Sequence, residues 1–208
     1  MNTVLIANKV NYKDILYYDK IEIERNAVTF ITGESGSGKS TLLKLFSGMV
    51  SPDSGDIFYN GDNISDMNTV TLRREVLLCS QSVYLFDGDI KSCFDEFYSY
   101  RELTSPDIQT IKRYMDICQI NLPLDTKTSS MSGGERQRVF VAICLSFMPK
   151  VLMLDEPTSA LDSQTANLLM NSLCKFCRDN SMTLIVISHD TELCKEFCDR
   201  EINLKKRI

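Results

Sequence analysis

Apolar and polar positions alternate in short blocks along the chain, and their spacing predicts its elements. Residues 3–7 and 20–25 read as strands. In the second, Ile21 and Ile23 alternate with Glu22 and Glu24, the pattern of a half-exposed antiparallel strand. Continuously apolar, β-branched runs at 27–32 (AVTFIT), 151–154 (VLML) and 183–187 (TLIVI) read as buried strands, as does 76–80 (VLLCS). Residues 55–61 (GDIFYNG) make a short strand closed by Asn60-Gly61, a strong hairpin signal, and 200–204 a last short strand. Helical spacing covers 41–48, 68–75, 132–147, 163–178 and 191–198. From 82 to 131 the chain turns helical and polar, with helices at 95–100 and 106–119. The second carries Ile108, Ile111, Met115 and Cys118 as one apolar stripe, and a loop at 122–130 follows. Strands separated by helices imply a mainly parallel sheet covered on both faces. The pattern predicts a single α/β domain over 1–208, with a helical subdomain inserted at 82–131.

The candidate chemistry centres on residues 33–41, GESGSGKST, which fit G-x-x-x-x-G-K-[ST] with Gly33, Gly38, Lys39 and Ser40 at the defining positions. A buried strand precedes the loop and a helix follows it. That is the context in which Gly33, Glu34, Ser35, Gly36, Ser37, Gly38, Lys39, Ser40 and Thr41 form a phosphate cradle. The glycines let backbone N–H groups point inward, and the helix N-terminus adds partial positive charge. Lys39 is expected to reach the β- and γ-phosphates and Ser40 to ligate Mg²⁺. A Gly/Ser-rich turn would need neither this many glycines nor a Lys-Ser at the helix start.

Parallel sheets place ligands at the carboxyl ends of their strands. The strand VLML ends in Asp155-Glu156. Asp155 is expected to hold Mg²⁺, and Glu156 to take a proton from the attacking water. Alone, the pair would read as a helix cap after a core strand; the glycine loop upstream reverses that preference. His189, the only histidine, ends the strand TLIVIS where a γ-phosphate sensor would lie. Gln81 ends a further strand and is expected to reach Mg²⁺ and the water. Ser132, Gly133 and Gly134, at a helix start, make a second anion-binding nest. Two phosphate sites in one chain make sense if the second serves a neighbouring chain.

A net charge of −5 argues against gripping nucleic acid. The longest nearly apolar run, 139–148, is half the roughly twenty residues a membrane span needs, and the N-terminus lacks a signal-peptide pattern. A cytoplasmic protein is expected, with any membrane role supplied by a partner. Of the eight cysteines, Cys174, Cys177, Cys194 and Cys198 have spacings that resemble paired metal ligands. They also fall on helical faces, and Leu169, Leu173 and Cys177 make one apolar stripe, so core packing suffices.

The order GESGSGKST, Gln81, SGGERQR (132–138), VLMLDEPTSALD (151–162) and SHD (188–190) resembles the ATP-binding subunit of ABC transporters, over almost the whole chain. The resemblance implies a P-loop NTPase core with an antiparallel N-terminal subdomain and an inserted helical subdomain. It implies ATP and Mg²⁺ as cofactors, and a head-to-tail dimer with a second ATP-binding subunit. Each ATP would lie on the glycine loop of one chain and under Ser132, Gly133, Gly134 and Glu135 of the other. Tyr12 would stack on adenine, Asp162 would cross the interface, and His189 would touch the γ-phosphate. Met131 and Glu135 stand where Leu and Gln are usual. A transmembrane permease would hold the subunit on the inner face of the cell membrane. SVYLFDGDIKSC (82–93) is similar to exporter ATPase domains, and FMPKVLMLDEPTSALD (147–162) and TLLKLFSGMVSPDSG (41–55) to the bacterial iron-export cassette, so export, of iron or another metal, is expected. The alternative is a soluble ABC ATPase acting on ribosomes or nucleic acid.

Overall fold

In the computed structural model, which describes residues 2–205, the chain begins with a long antiparallel hairpin, β1 (Thr3–Tyr12) and β2 (Leu16–Glu24). Strand β3 (Val28–Gly33) then leads through the glycine loop into α1 (Lys39–Phe46). Strands β4 (Ser54–Tyr59) and β5 (Asp62–Asn63) return to the hairpin, giving a four-stranded sheet in the order β2-β1-β4-β5. Asn60 and Gly61 both take positive φ, as the Asn-Gly signal requires. Helix α2 (Thr69–Glu75) leads into β6 (Val76–Cys79). Helices α3 (Ile90–Tyr100), α4 (Ile108–Ile117) and α5 (Gly133–Ser146) follow before β7 (Val151–Asp155). The chain closes with α6 (Ser163–Asp179), β8 (Thr183–Ile187), α7 (Thr191–Phe197) and β9 (Arg200–Leu204). The second sheet is parallel throughout, in the order β6-β7-β8-β3-β9.

The two faces of that sheet bury different partners, because successive side chains on a strand point opposite ways. Phe30, Leu152, Leu154, Leu184 and Val186 face a core shared with α3 to α7. Ile31, Val151, Met153, Ile185 and Ile187 face a second core under α1 and the antiparallel sheet. Helix α4 contributes Ile111, Tyr114 and Met115 to the first of these cores, so the helical segment shares its apolar interior with the sheet.

Several boundaries differ from expectation for local reasons. Strand β1 runs to Tyr12: Asn8, Lys9 and Asn11 read as polar, but a shift of register between Asn8 and Asn11, with Lys9 at φ 50°, carries the strand past them. Tyr12 therefore ends a strand. Helix α3 starts at Ile90, where Asp89 and Ser92 form a reciprocal capping box. Ile108 is 54% exposed and leaves the stripe expected for α4; buried Tyr114 takes its place beside Ile111 and Met115. Leu169, Leu173 and Cys177 are fully buried as one stripe of α6.

Candidate functional site

The glycine loop leaves the carboxyl end of β3, beside the ends of β6, β7 and β8. Gly33 (φ 137°) admits no side chain: a Cβ there would stand 2.2 Å from the Leu204 carbonyl oxygen of the neighbouring strand. Gly38 (φ 94°) is the N-cap of α1 and contributes no side-chain cap, so the first-turn N–H groups stay available to an anion. Lys39 is 6% exposed, and its ammonium donates back across the loop to the carbonyls of Gly33 (2.8 Å) and Glu34 (2.9 Å). A triphosphate seated in the loop would offer that ammonium charged acceptors in place of two neutral ones.

A cavity of about 420 Å³ opens over the loop. Tyr12, Ser35, Gly36, Gly38, Lys39, Ser40 and Thr41 line one side, and Gln81, Glu156 and His189 the other. The strand-end residues singled out from sequence thus converge on the phosphate loop. Glu156 is their hub: Gln81 Nε2 donates to its Oε2 at 3.0 Å, and His189 Nε2 lies 3.1 Å from its Oε1. Gln81 therefore bears on the carboxylate of Glu156. The backbone of Glu156 is held at φ 52°, unusual for a non-glycine, by its N–H on Ile187 O (3.1 Å) and by Gln137 Nε2 on its carbonyl (2.8 Å).

Asp155 is 7% exposed, and its Oδ1 has no hydrogen-bond partner among the described residues. Burial pushes its carboxyl above the usual range; the Ser40 hydroxyl beside it opposes that shift, and Glu156 adds to it. A buried, under-satisfied carboxylate next to a hydroxyl at the phosphate loop is a donor set that suits a hard divalent cation. Ser40 and Asp155 thus fit Mg²⁺.

Tyr12, half-buried, lines the cavity at the hairpin end, with Lys13 Nζ 5.4 Å from its ring centre. Sequence reasoning did not single out Lys13, Ile15 and Leu16, which line the same wall, nor Gln137, buried in α5. Gln137 lies within the SGGERQR stretch, which offered the only signal for it.

The second nest faces elsewhere. None of Ser132, Gly133, Gly134 and Glu135 lines this cavity. Ser132 caps α5, and two N–H groups at the helix start are occupied within the protein. Glu135 accepts from the N–H (2.8 Å) and hydroxyl (2.8 Å) of Ser132, whose Oγ in turn accepts from Glu135 N–H. These bonds hold the Glu135 carboxyl below its usual range. Gly133 and Gly134 remain outside the capping box, and Gly134 packs where a Cβ would stand 2.9 Å from the Ala160 carbonyl. Asp162 is exposed and caps α6 through Thr165 (2.9 Å).

Of the paired cysteines, Cys174, Cys177 and Cys194 are buried, with their thiols pushed up to about 12, mainly by burial, and Cys198 is half-buried. Among the described residues, no helix is long and apolar enough to cross a membrane.

Comparison with known proteins places this geometry. The chain is 32% identical to the methionine import ATP-binding protein MetN of Staphylococcus haemolyticus, over 96% of its own length and 60% of that protein's. It is 29% identical to the phosphonates import ATP-binding protein PhnC of Wolinella succinogenes, over 89% of the chain and 72% of that protein. The chain thus spans about 60% of the length of the methionine-import relative. Among solved structures, cbiO1 of Clostridium perfringens, part of the ABC transporter complex cbiONQ, superposes with a TM-score of 0.86 at 28% identity, covering 99% of this chain and 86% of that one. The fold is the ABC ATPase fold. The expected likeness to an iron-export cassette is not supported, because these curated relatives are named for import. The FMPKVLMLDEPTSALD stretch that suggested it contains strand β7 and the carboxylate pair at its end. The ABC transporter profile matches residues 18–159, more than half of the sequence, and the chain belongs to that family.

Proposed function

We propose that this chain, acting as one cassette whose helical segment is 82–131, hydrolyses ATP at two composite sites in a head-to-tail dimer. Its motion drives import through a separate membrane subunit that holds it at the inner face of the membrane. The observation that carries this reading is the convergence of the glycine loop, Glu156, Gln81 and His189 on one cavity, with the Ser132 nest left outside it.

In this reading the first-turn N–H groups of α1 and Lys39 bind the triphosphate, and Tyr12 stacks on the base. Ser40 and Asp155 hold Mg²⁺, which when bound neutralises phosphate charge. Glu156 accepts the proton of the attacking water, and His189 and Gln81, already on its two oxygens, aim that carboxylate. Ser132, Gly133 and Gly134 of the other copy close over the γ-phosphate, and Asp162 lies at the interface. Import follows the names of the relatives. Those relatives differ from each other in cargo at similar identity to this chain, so cargo choice belongs to the membrane partner.

The base platform has a direct test. Tyr12→Ala should weaken ATP and GTP binding alike by about 1 kcal/mol, the scale of one aromatic stack, since stacking does not read base edges. Calorimetric titration with both nucleotides measures it, and unchanged affinities would remove Tyr12 from the site.

The partner reading also has a surface. Just after Gln81, Tyr84 (63% exposed) packs edge-on against Phe86, which stacks on Tyr100 (75% exposed) at 5.4 Å. A clustered, exposed aromatic patch marks a protein contact. Replacing Tyr84 and Tyr100 together by Ser should abolish copurification with the membrane subunit while leaving ATP hydrolysis by the isolated cassette within about two-fold. Retained copurification would move the contact off this patch.

A further inference from the structure

We propose that Tyr18 is a positioning residue for the phosphate loop, locking the conformation of Gly38 from behind; the inference rests on the nucleotide-site reading of that loop. Tyr18 lies on β2 opposite Val10, 4% exposed, and its ring belongs to the core under the antiparallel sheet. Its hydroxyl donates to the Gly38 carbonyl oxygen at 2.8 Å. The same oxygen accepts the N–H of Leu42 at 2.9 Å, the first bond of α1. Gly38 thus receives two donors on its carbonyl side, and among the described residues no side-chain cap closes the start of α1 beside the cavity.

The fit is close from behind as well. A Cβ on Gly38 would stand 2.5 Å from the Tyr18 hydroxyl and 2.9 Å from a Leu16 methyl, so β2 presses directly on the loop. Burial pushes the phenol well above its usual range, which keeps it a neutral donor. Gly38 has no side chain of its own to hold φ at 94°, and glycine samples other conformations freely. The hydrogen bond from Tyr18 selects the one in which the first-turn N–H groups of α1 point at the phosphates.

Tyr18 does not touch the nucleotide, so its effect should appear on phosphate affinity and not on base stacking. Tyr18→Phe keeps the ring and removes only the donor, and Leu42 still satisfies the Gly38 carbonyl. Affinity for MgATP and for inorganic tripolyphosphate should each fall about five-fold, the worth of one net hydrogen bond, with the thermal midpoint lowered by no more than about 4 °C. Tyr12→Ala should weaken ATP and leave tripolyphosphate alone. Val10→Ala, which loosens the same strand pair without touching the hydroxyl, should lower the thermal midpoint and leave both affinities intact. Unchanged affinities in Tyr18→Phe would overturn the proposal, as would an equal affinity loss in Val10→Ala, which would make the role one of packing. Wild-type protein that binds neither ATP nor tripolyphosphate would instead overturn the nucleotide reading itself.

Discussion

Glu156→Gln should fold normally, bind ATP, and turn over at least about a hundred-fold more slowly than the unchanged protein. The substitution keeps the shape of the side chain. The Gln81 amide can still donate to the remaining carbonyl oxygen, and the backbone at φ 52° stays clamped by Ile187 and Gln137. Asp155 and Ser40 are untouched, so metal ligation should survive. What is lost is the one carboxylate, among the described residues, that lines the cavity over the phosphate loop, and with it the proposed base. In the proposed cycle hydrolysis reopens the dimer, so the variant should accumulate as an ATP-bound dimer visible by size-exclusion chromatography. Steady-state hydrolysis within a few-fold of wild type would remove Glu156 from the mechanism.

Much of this site was legible in the sequence because it is built at strand ends. Where a buried strand stops and chemistry begins at the next residue, as at Leu154–Asp155 or Ile187–Ser188–His189, apolar run length fixes position almost to the residue. The same logic placed Gln81 two residues beyond Cys79, although not its contact with Glu156. Less legible was whatever depends on irregular backbone. The bulge at Lys9 carries β1 to Tyr12, and no alternation signals it. Tyr18 reads as one aromatic residue of a hairpin; its role requires knowing that β2 lies behind Gly38, a contact between residues twenty apart. The capping box of Ser132 and Glu135 is present as a sequence pattern, but reading Ser132 as part of an anion nest leaves its bonds to Glu135 out. Cargo and direction were not legible in the motifs: in the proposed function the phosphate loop and strand ends handle ATP, and no residue of theirs needs to touch what is transported.

In the proposed dimer, each site is completed by a second copy. Lys39→Ala removes the ammonium from the phosphate loop. Ser132→Arg fills the exposed start of α5 at a cost of about 1 kcal/mol in lost capping, which a folded chain should tolerate. Each homodimer should be inactive, since both of its sites carry the lesion. In a mixed dimer, one site carries both lesions, while the other joins an intact loop to an intact Ser132–Gly133–Gly134 nest. Nucleotide occlusion and ATP turnover, measured against mixing ratio, therefore decide the matter, with coupling between the sites setting the ceiling on turnover. The account predicts one occluded nucleotide per mixed dimer and partial recovery of hydrolysis. Occlusion that stays at the homodimer background at every ratio, with mixed dimers verified, would contradict it.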